Sequence, residues 1–187
     1  MDDIEKILVM YRLKQVDRAI DVLDRKESSA EHSWSCMILA DYFLTTLNPE
    51  LNRTRIMDLL LYHDLVEVES GDTFIYDQEG QRTKKQREAE GFEMLRKNIP
   101  RAIAGKYADL HDEYEKRESP EARFAHAIDK LDPIIHSLHN TRSWERWNLS
   151  EENIRQSKEK YLMFSDDFTR IFEELIDYLK TNGLIRS

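Results

Sequence analysis

His32, the adjacent pair His63-Asp64 and Asp129 are the residues of this chain whose types and spacing can do chemistry. Each sits inside or at the end of an apolar helical segment. Burying an imidazole or a carboxylate is costly unless something satisfies it. Two imidazoles and two carboxylates drawn from three helices would suit one divalent cation, because borderline ions accept both nitrogen and oxygen donors. That set points to a metal-dependent hydrolase rather than a helical scaffold. Taken singly, each residue has a plainer reading: His32 as a core histidine bonded to a backbone carbonyl, His63-Asp64 as a chance dipeptide, Asp129 as a capped or solvent-facing carboxylate.

Further candidates lie close by in sequence. Glu67 follows His63 by four residues and Asp64 by three, within reach of a water on such an ion. Asp72 follows Gly71, whose permissive backbone can turn the chain toward a site. Pro133 lies four residues after Asp129 and offers no amide hydrogen to its carbonyl, so the helix should bend or widen there. His126 and His136 flank that turn and read either as groups that orient a metal ligand or as ordinary surface histidines. His111 lies in a charged region and reads as exposed. Cys36, the only cysteine, sits in an apolar run and reads as a buried, reduced thiol.

These side chains must be positioned by helices. Glycine and proline are few, alternating β-branched runs are absent, and apolar residues recur at helical spacing. A first helix is expected from Ile4 to about Asp24, with Ile7, Leu8, Tyr11 and Leu13 on its apolar face, then a polar connection over Arg25 to Ala30. The next, about Glu31 to Leu47, is apolar on most sides and should occupy the middle of a bundle. Asn48-Pro49-Glu50 breaks the chain before a third helix that runs from about Asn52 into His63-Asp64. Ser70 to Gln81 has no clear period and reads as an irregular, substrate-facing loop. Charged helices follow at about Thr83 to Asn98 and Pro100 to Lys116. Ser119-Pro120 starts a helix whose stripe is Phe124, Ile128, Leu131, Ile135 and Leu138. Trp144 and Trp147 are expected to pack a connection, and one last helix spans about Ser150 to Lys180. Its apolar stripe reads as core, with a second subunit as the alternative occupant. The expectation is one all-α domain over 187 residues, a compact helical bundle.

A formal charge of −9 argues against a nucleic-acid groove, though a bound cation can reverse the local field for a small phosphorylated substrate. The Met-Asp-Asp-Ile-Glu start has the wrong charge for a signal peptide, and no apolar stretch approaches a membrane span. A cytoplasmic protein is expected, with no membrane and no nucleic acid among its partners.

The order His32, His63-Asp64, Asp129 resembles the HD-domain metal-dependent phosphohydrolases. The strings Ser29-Ala30-Glu31-His32-Ser33, Tyr62 through Asp72, Glu113-Tyr114-Glu115, Ser119 through Phe124 and Asp129-Lys130-Leu131-Asp132 look like the 5′-deoxynucleotidase branch. The likeness covers about Arg12 to Leu138, and the final helix adds little to it. The resemblance implies a helical bundle of the HD type in which His32, His63, Asp64 and Asp129 bind one divalent metal. It implies that Glu67 assists the chemistry and that Asp72 holds the sugar of a nucleoside monophosphate. An Arg-Trp pair faces the substrate in that branch. Here Arg18 matches the arginine one residue short, and Ala19 stands where tryptophan would be, which puts strict deoxyribose preference in doubt. Trp34 lies on another element and is not assumed to substitute for it.

The leading expectation is therefore phosphate release from (deoxy)nucleoside 5′-monophosphates, by water activated on one ion of manganese, cobalt, iron, zinc, nickel or magnesium. Glu67 could take a proton from the water or give one to the leaving alkoxide, and Arg18 could neutralise phosphate charge. Hydrolysis of a nucleoside triphosphate or alarmone pyrophosphate is the second reading, disfavoured by the few basic residues around the motif. A metal-stabilised, non-catalytic nucleotide-binding module is the third. A homodimer is expected.

Overall fold

The computed structural model describes residues 2–47, 49–139 and 149–186. Trp144 and Trp147 lie outside the described residues. The chain opens with α1 (Asp2–Tyr11), a 3-10 turn (Arg12–Gln15) and an antiparallel hairpin of β1 (Asp17–Val22) and β2 (Arg25–Ser28). The expected single helix from Ile4 to Asp24 is thus wrong beyond Tyr11, and the expected polar connection after it is largely a strand. Asp17 faces Ser28, Asp21 faces Lys26 and Val22 faces Arg25, with an irregular register between the first two pairs. Leu23 at the turn takes φ 56°, a conformation more common for glycine or asparagine, so no Asn-Gly signal announced the hairpin. Of the apolar face expected on the first helix, only Leu13 is buried; Ile7, Leu8 and Tyr11 are exposed.

Ser28 ends the hairpin and caps α2 (Ser29–Thr46) in a capping box with Glu31. Loss of such a cap costs about 1 kcal/mol. His32, Cys36, Ala40, Phe43 and Leu44 face inward, whereas Trp34, Ile38 and Tyr42, four residues apart, are exposed. The helix is therefore covered on one side only, not set in the middle of a bundle.

Asn52 caps α3 (Arg53–Tyr62), which stops one residue before His63. A tight turn leads into α4 (Glu67–Ser70), closed by Gly71 at φ 71°. The irregular stretch is shorter than expected, because α5 (Gln78–Asn98) begins under the Asp77 cap. Arg87 of α5 donates to the Ser70 carbonyl and to Thr73 Oγ1, each at 2.6 Å, and fixes this stretch from below.

Then come α6 (Arg101–Lys116) and α7 (Pro120–His136), which runs through Pro133 without a break. The last stretch is two helices, α8 (Glu151–Leu162) and α9 (Asp166–Thr181), not one. Ser165 caps the second, and Asp166 and Asp167 suit its positive N-terminal end. α7 is the hub of the fold, packed against α2, α3, α6, α8 and α9. One apolar cluster joins Leu13 to Ile185 and includes Phe168, Phe172, Ile176 and Leu179 of α9. The α9 stripe is thus consumed within the chain. Each fully buried phenylalanine there contributes about 1.5–3 kcal/mol.

Candidate metal centre and its cavity

His32 comes from the first turn of α2, His63 and Asp64 from the turn after α3, and Asp129 from the middle of α7. The fold brings all four together. His32 Nε2 lies 3.2 Å from Asp129 Oδ1 and 3.8 Å from Asp64 Oδ2. His63 Nε2 lies 3.3 Å from Asp64 Oδ1. Ending α3 at Tyr62 is what frees the backbone for neighbouring residues to converge, since within a helix they point about 100° apart.

His63 Nδ1 donates to the Leu60 carbonyl at 2.8 Å, so its buried Nε2 is a bare lone pair, and it has no hydrogen-bond partner. Burial holds this imidazole below its ordinary pKa and keeps it neutral. The atom facing it, Asp64 Oδ1, is also an acceptor. Two acceptors held side by side call for a cation between them. Donors bound to one ion at about 2.1 Å stand roughly 3.0–3.4 Å apart; the 3.2 and 3.3 Å pairs match this and the 3.8 Å pair is wider. The residues present fit a divalent metal.

The surrounding groups hold these ligands in place. Asp132 Oδ2 lies 2.8 Å from His32 Nδ1. Asp129 Oδ2 accepts from the Tyr114 hydroxyl at 2.8 Å and pairs with Lys130 Nζ at 2.8 Å. Burial alone would raise the Asp129 carboxyl, but Lys130 and the hydrogen bond from His32 hold it well below the usual range. His126 donates to the Tyr114 carbonyl at 2.8 Å and stacks on the Tyr114 ring at 3.8 Å, so it steadies the residue that steadies Asp129. His136 Nδ1 lies 3.3 Å from Glu27 Oε1. Two buried groupings, neither of them this set of four, bring one donor atom each within 4.8 Å of one another: His32-Cys36-His63 and Glu27-His32-Asp132. Burial pushes the Cys36 thiol up to about 12, so it keeps its proton. Glu27 is engaged by Arg18, and the facing nitrogen of His32 by Asp132. The other four residues remain the better set.

Arg18 reaches the site from β1, its Nε 3.1 Å from Glu27 Oε2 and its Nη1 3.3 Å from Asp64 Oδ2. Glu67 is 6% exposed and accepts from Ser29 Oγ at 2.6 Å. Burial, then the charges of Asp64 and Asp72, raise its carboxyl well above the ordinary value. Asp72 lines the same cavity of about 320 Å³, with Ala19, Phe74, Tyr76 and Tyr161 on its less polar walls. Trp34 does not line it.

Three expectations need correction. Few basic residues were expected near the motif, yet Lys84, Arg117, Lys130 and Lys158 join Arg18 around the cavity. The likeness was expected to stop near Leu138, yet α8 supplies Lys158 and Tyr161 to the cavity, and its Ser157 hydroxyl lies 3.2 Å from that of Tyr76. His111 is not exposed: it is half-buried, stacked on Phe92 at 4.5 Å. Sequence reasoning gave no role to Tyr114, Lys130 or Lys158. Only Lys130, beside Asp129, carried a positional hint.

Comparisons with known proteins give the family. The HD domain family matches residues 10–166, and the chain belongs to that family. A curated relative, the 5′-deoxynucleotidase HDDC2 of Bos taurus, is 30% identical over 127 residues, 66% of this chain and 60% of that protein. The match therefore spans less than two thirds of the curated relative's length. A crystal structure described as a predicted metal-dependent phosphohydrolase from Magnetospirillum magnetotacticum superposes with a TM-score of 0.87 at 27% identity, over 100% of this chain and 95% of that one. An HD-domain phosphohydrolase from Listeria innocua shares the fold, with a TM-score of 0.59 at 18% identity over 95% and 93% of the two chains.

Proposed function

We propose that this chain is a metal-dependent phosphohydrolase that releases phosphate from (deoxy)nucleoside 5′-monophosphates. The observation that carries the reading is the unpartnered Nε2 of His63 beside Asp64, at the edge of a cavity that also holds Glu67 and Arg18. His32, His63, Asp64 and Asp129 would hold one divalent ion. Such an ion supplies Lewis acidity toward a phosphoryl oxygen and lowers the pKa of water.

The chain's own residues account for the rest. Glu67, with its raised carboxyl pKa, can accept a proton from the attacking water or give one to the departing 5′-oxygen. Ser29 fixes the direction of that carboxylate through its hydrogen bond. Arg18 is oriented by Glu27 and offers a planar fork of donors to phosphate oxygens. Asp72, which lines the same cavity, would accept a hydrogen bond from a sugar hydroxyl. Ala19 brings only a methyl group to this cavity, which favours tolerance of both sugar forms.

The five cations around the cavity lend some weight to a second reading, a substrate with a longer phosphate chain. One assay separates the two. Nucleoside 5′-mono- and triphosphates, in ribose and deoxyribose forms, are crossed with divalent ions, and the released product is identified. Inorganic phosphate from monophosphates supports the first reading, pyrophosphate or triphosphate release supports the second, and no turnover with any ion contradicts both.

We read the chain as one domain, because a single apolar cluster joins its first and last described elements. A cytoplasmic setting fits the lone buried thiol. Among the described residues no helix is long and apolar enough to cross a membrane. A homodimer would find its apolar face on α2, where Trp34, Ile38 and Tyr42 are exposed, rather than on α9; sedimentation of the purified chain tests this.

A further inference from the structure

Lys158 is the least expected group around the cavity. It sits on α8, one helical turn after the buried Ile154 and one before the buried Leu162, and only 8% of it is exposed. Burying an ammonium group is costly unless an opposite charge or hydrogen bonds compensate. No direct partner does so here: Lys158 has no hydrogen bond or ion pair among the described residues, although it lines the cavity, and Asp129 and Asp132 favour its charge only without contact. The nearby carboxylates are already engaged. Asp129 is held by Tyr114, Lys130 and His32, and Asp132 by His32.

The same position is crowded with positive charge. Lys130 and Arg18 both oppose the charge of Lys158, against the favourable pull of Asp129 and Asp132, and these three cations from β1, α7 and α8 line one cavity. Burial, and then Lys130, push the Lys158 ammonium down to about 7. A fold that keeps an unneutralised lysine beside two other cations leaves the counter-charge to come from outside.

We propose that Lys158 is a phosphate-binding residue, its ammonium forming with Arg18 and Lys130 the seat of the substrate's phosphoryl oxygens. The inference rests on the phosphohydrolase reading for its substrate, but not for its test. α8 is pinned to the 71–77 stretch through Tyr76 and Ser157, so the lysine is presented on a fixed helix rather than a loop. A terminal phosphate reaching the metal ligands would bring its outer oxygens to this wall, while base and sugar meet Phe74, Tyr76 and Asp72.

The test is calorimetric binding of inorganic phosphate, and separately of 2′-deoxyadenosine, to the metal-loaded wild type, Lys158→Met and Lys158→Gln. Removing a charge-assisted contact weakens phosphate binding by about tenfold or more. The expected result is that loss in either folded variant, with nucleoside binding unchanged and phosphate binding partly restored in Lys158→Arg. Unchanged phosphate affinity, or equal losses for phosphate and nucleoside, would overturn the assignment. A wild type that binds phosphate through Lys158 but hydrolyses no nucleotide would defeat the proposed function and leave this assignment standing. A wild type that turns over, with phosphate affinity indifferent to Lys158, would do the reverse.

Discussion

His32 Nδ1 lies 2.8 Å from Asp132 Oδ2, and this contact fixes which nitrogen of the ring faces the other ligands. A proton held on Nδ1 toward this carboxylate would leave Nε2, which faces Asp129 and Asp64, free to take an ion. Asp132 is 5% exposed and comes from the same helix as Asp129, three residues on, so α7 supplies both a ligand and the group that orients another.

Asp132→Asn is nearly isosteric but can no longer fix the tautomer by charge. Groups of this kind typically contribute 10–100-fold to metal affinity. A titration of manganese into the chelator-treated variant should show an affinity weaker than wild type by about tenfold or more. Equal affinities would mean that His32 is set by packing alone.

Glu67 is expected to act on protons rather than hold the metal. Glu67→Gln keeps the size of the side chain and can still pair with Ser29, but it cannot exchange a proton. The metal content should stay at the wild-type level while kcat falls by about 10²–10⁴-fold. A variant that keeps both its metal and its turnover takes Glu67 out of the chemistry.

His126 makes the fold sensitive to acid. Burial pushes its pKa down to about 3, against about 6.5 for an unfolded histidine. Between these values the unfolded chain binds a proton that the folded chain refuses. The stabilisation is therefore complete above about pH 6.5 and is lost as the pH falls toward 3. At about pH 5 the loss is roughly 2 kcal/mol from this residue. His126→Gln can still donate to the Tyr114 carbonyl and cannot titrate. Denaturant melts at about pH 7.5 and pH 5 should differ less in the variant than in wild type. The same pH difference in both would assign the acid sensitivity elsewhere.

Most helices, and the convergence of the four candidate ligands, were legible in the sequence because they rest on local signals. Ser119-Pro120 marks a helix start, Phe124-Ile128-Leu131 a buried stripe, and the His-Asp pair ends an apolar helix. The hairpin was not legible. Its turn is Leu23-Asp24 without glycine, and Val16, Ile20 and Val22 continue the apolar spacing of the preceding helix. The α8–α9 junction was hidden for a similar reason, since Phe164 keeps the stripe going across the turn. Tyr114 and Lys158 are long-range placements: one reaches Asp129 from α6, the other faces β1 from α8. No local pattern encodes either.

The central claim is a single ion shared by His32, His63, Asp64 and Asp129. Anomalous scattering from crystals loaded with manganese tests it most directly. The account predicts one strong peak about 2.0–2.3 Å from a donor atom of each of these four residues, with room left for solvent. A peak seated instead on Glu27, His32 and Asp132, or no peak in this cavity, would contradict it.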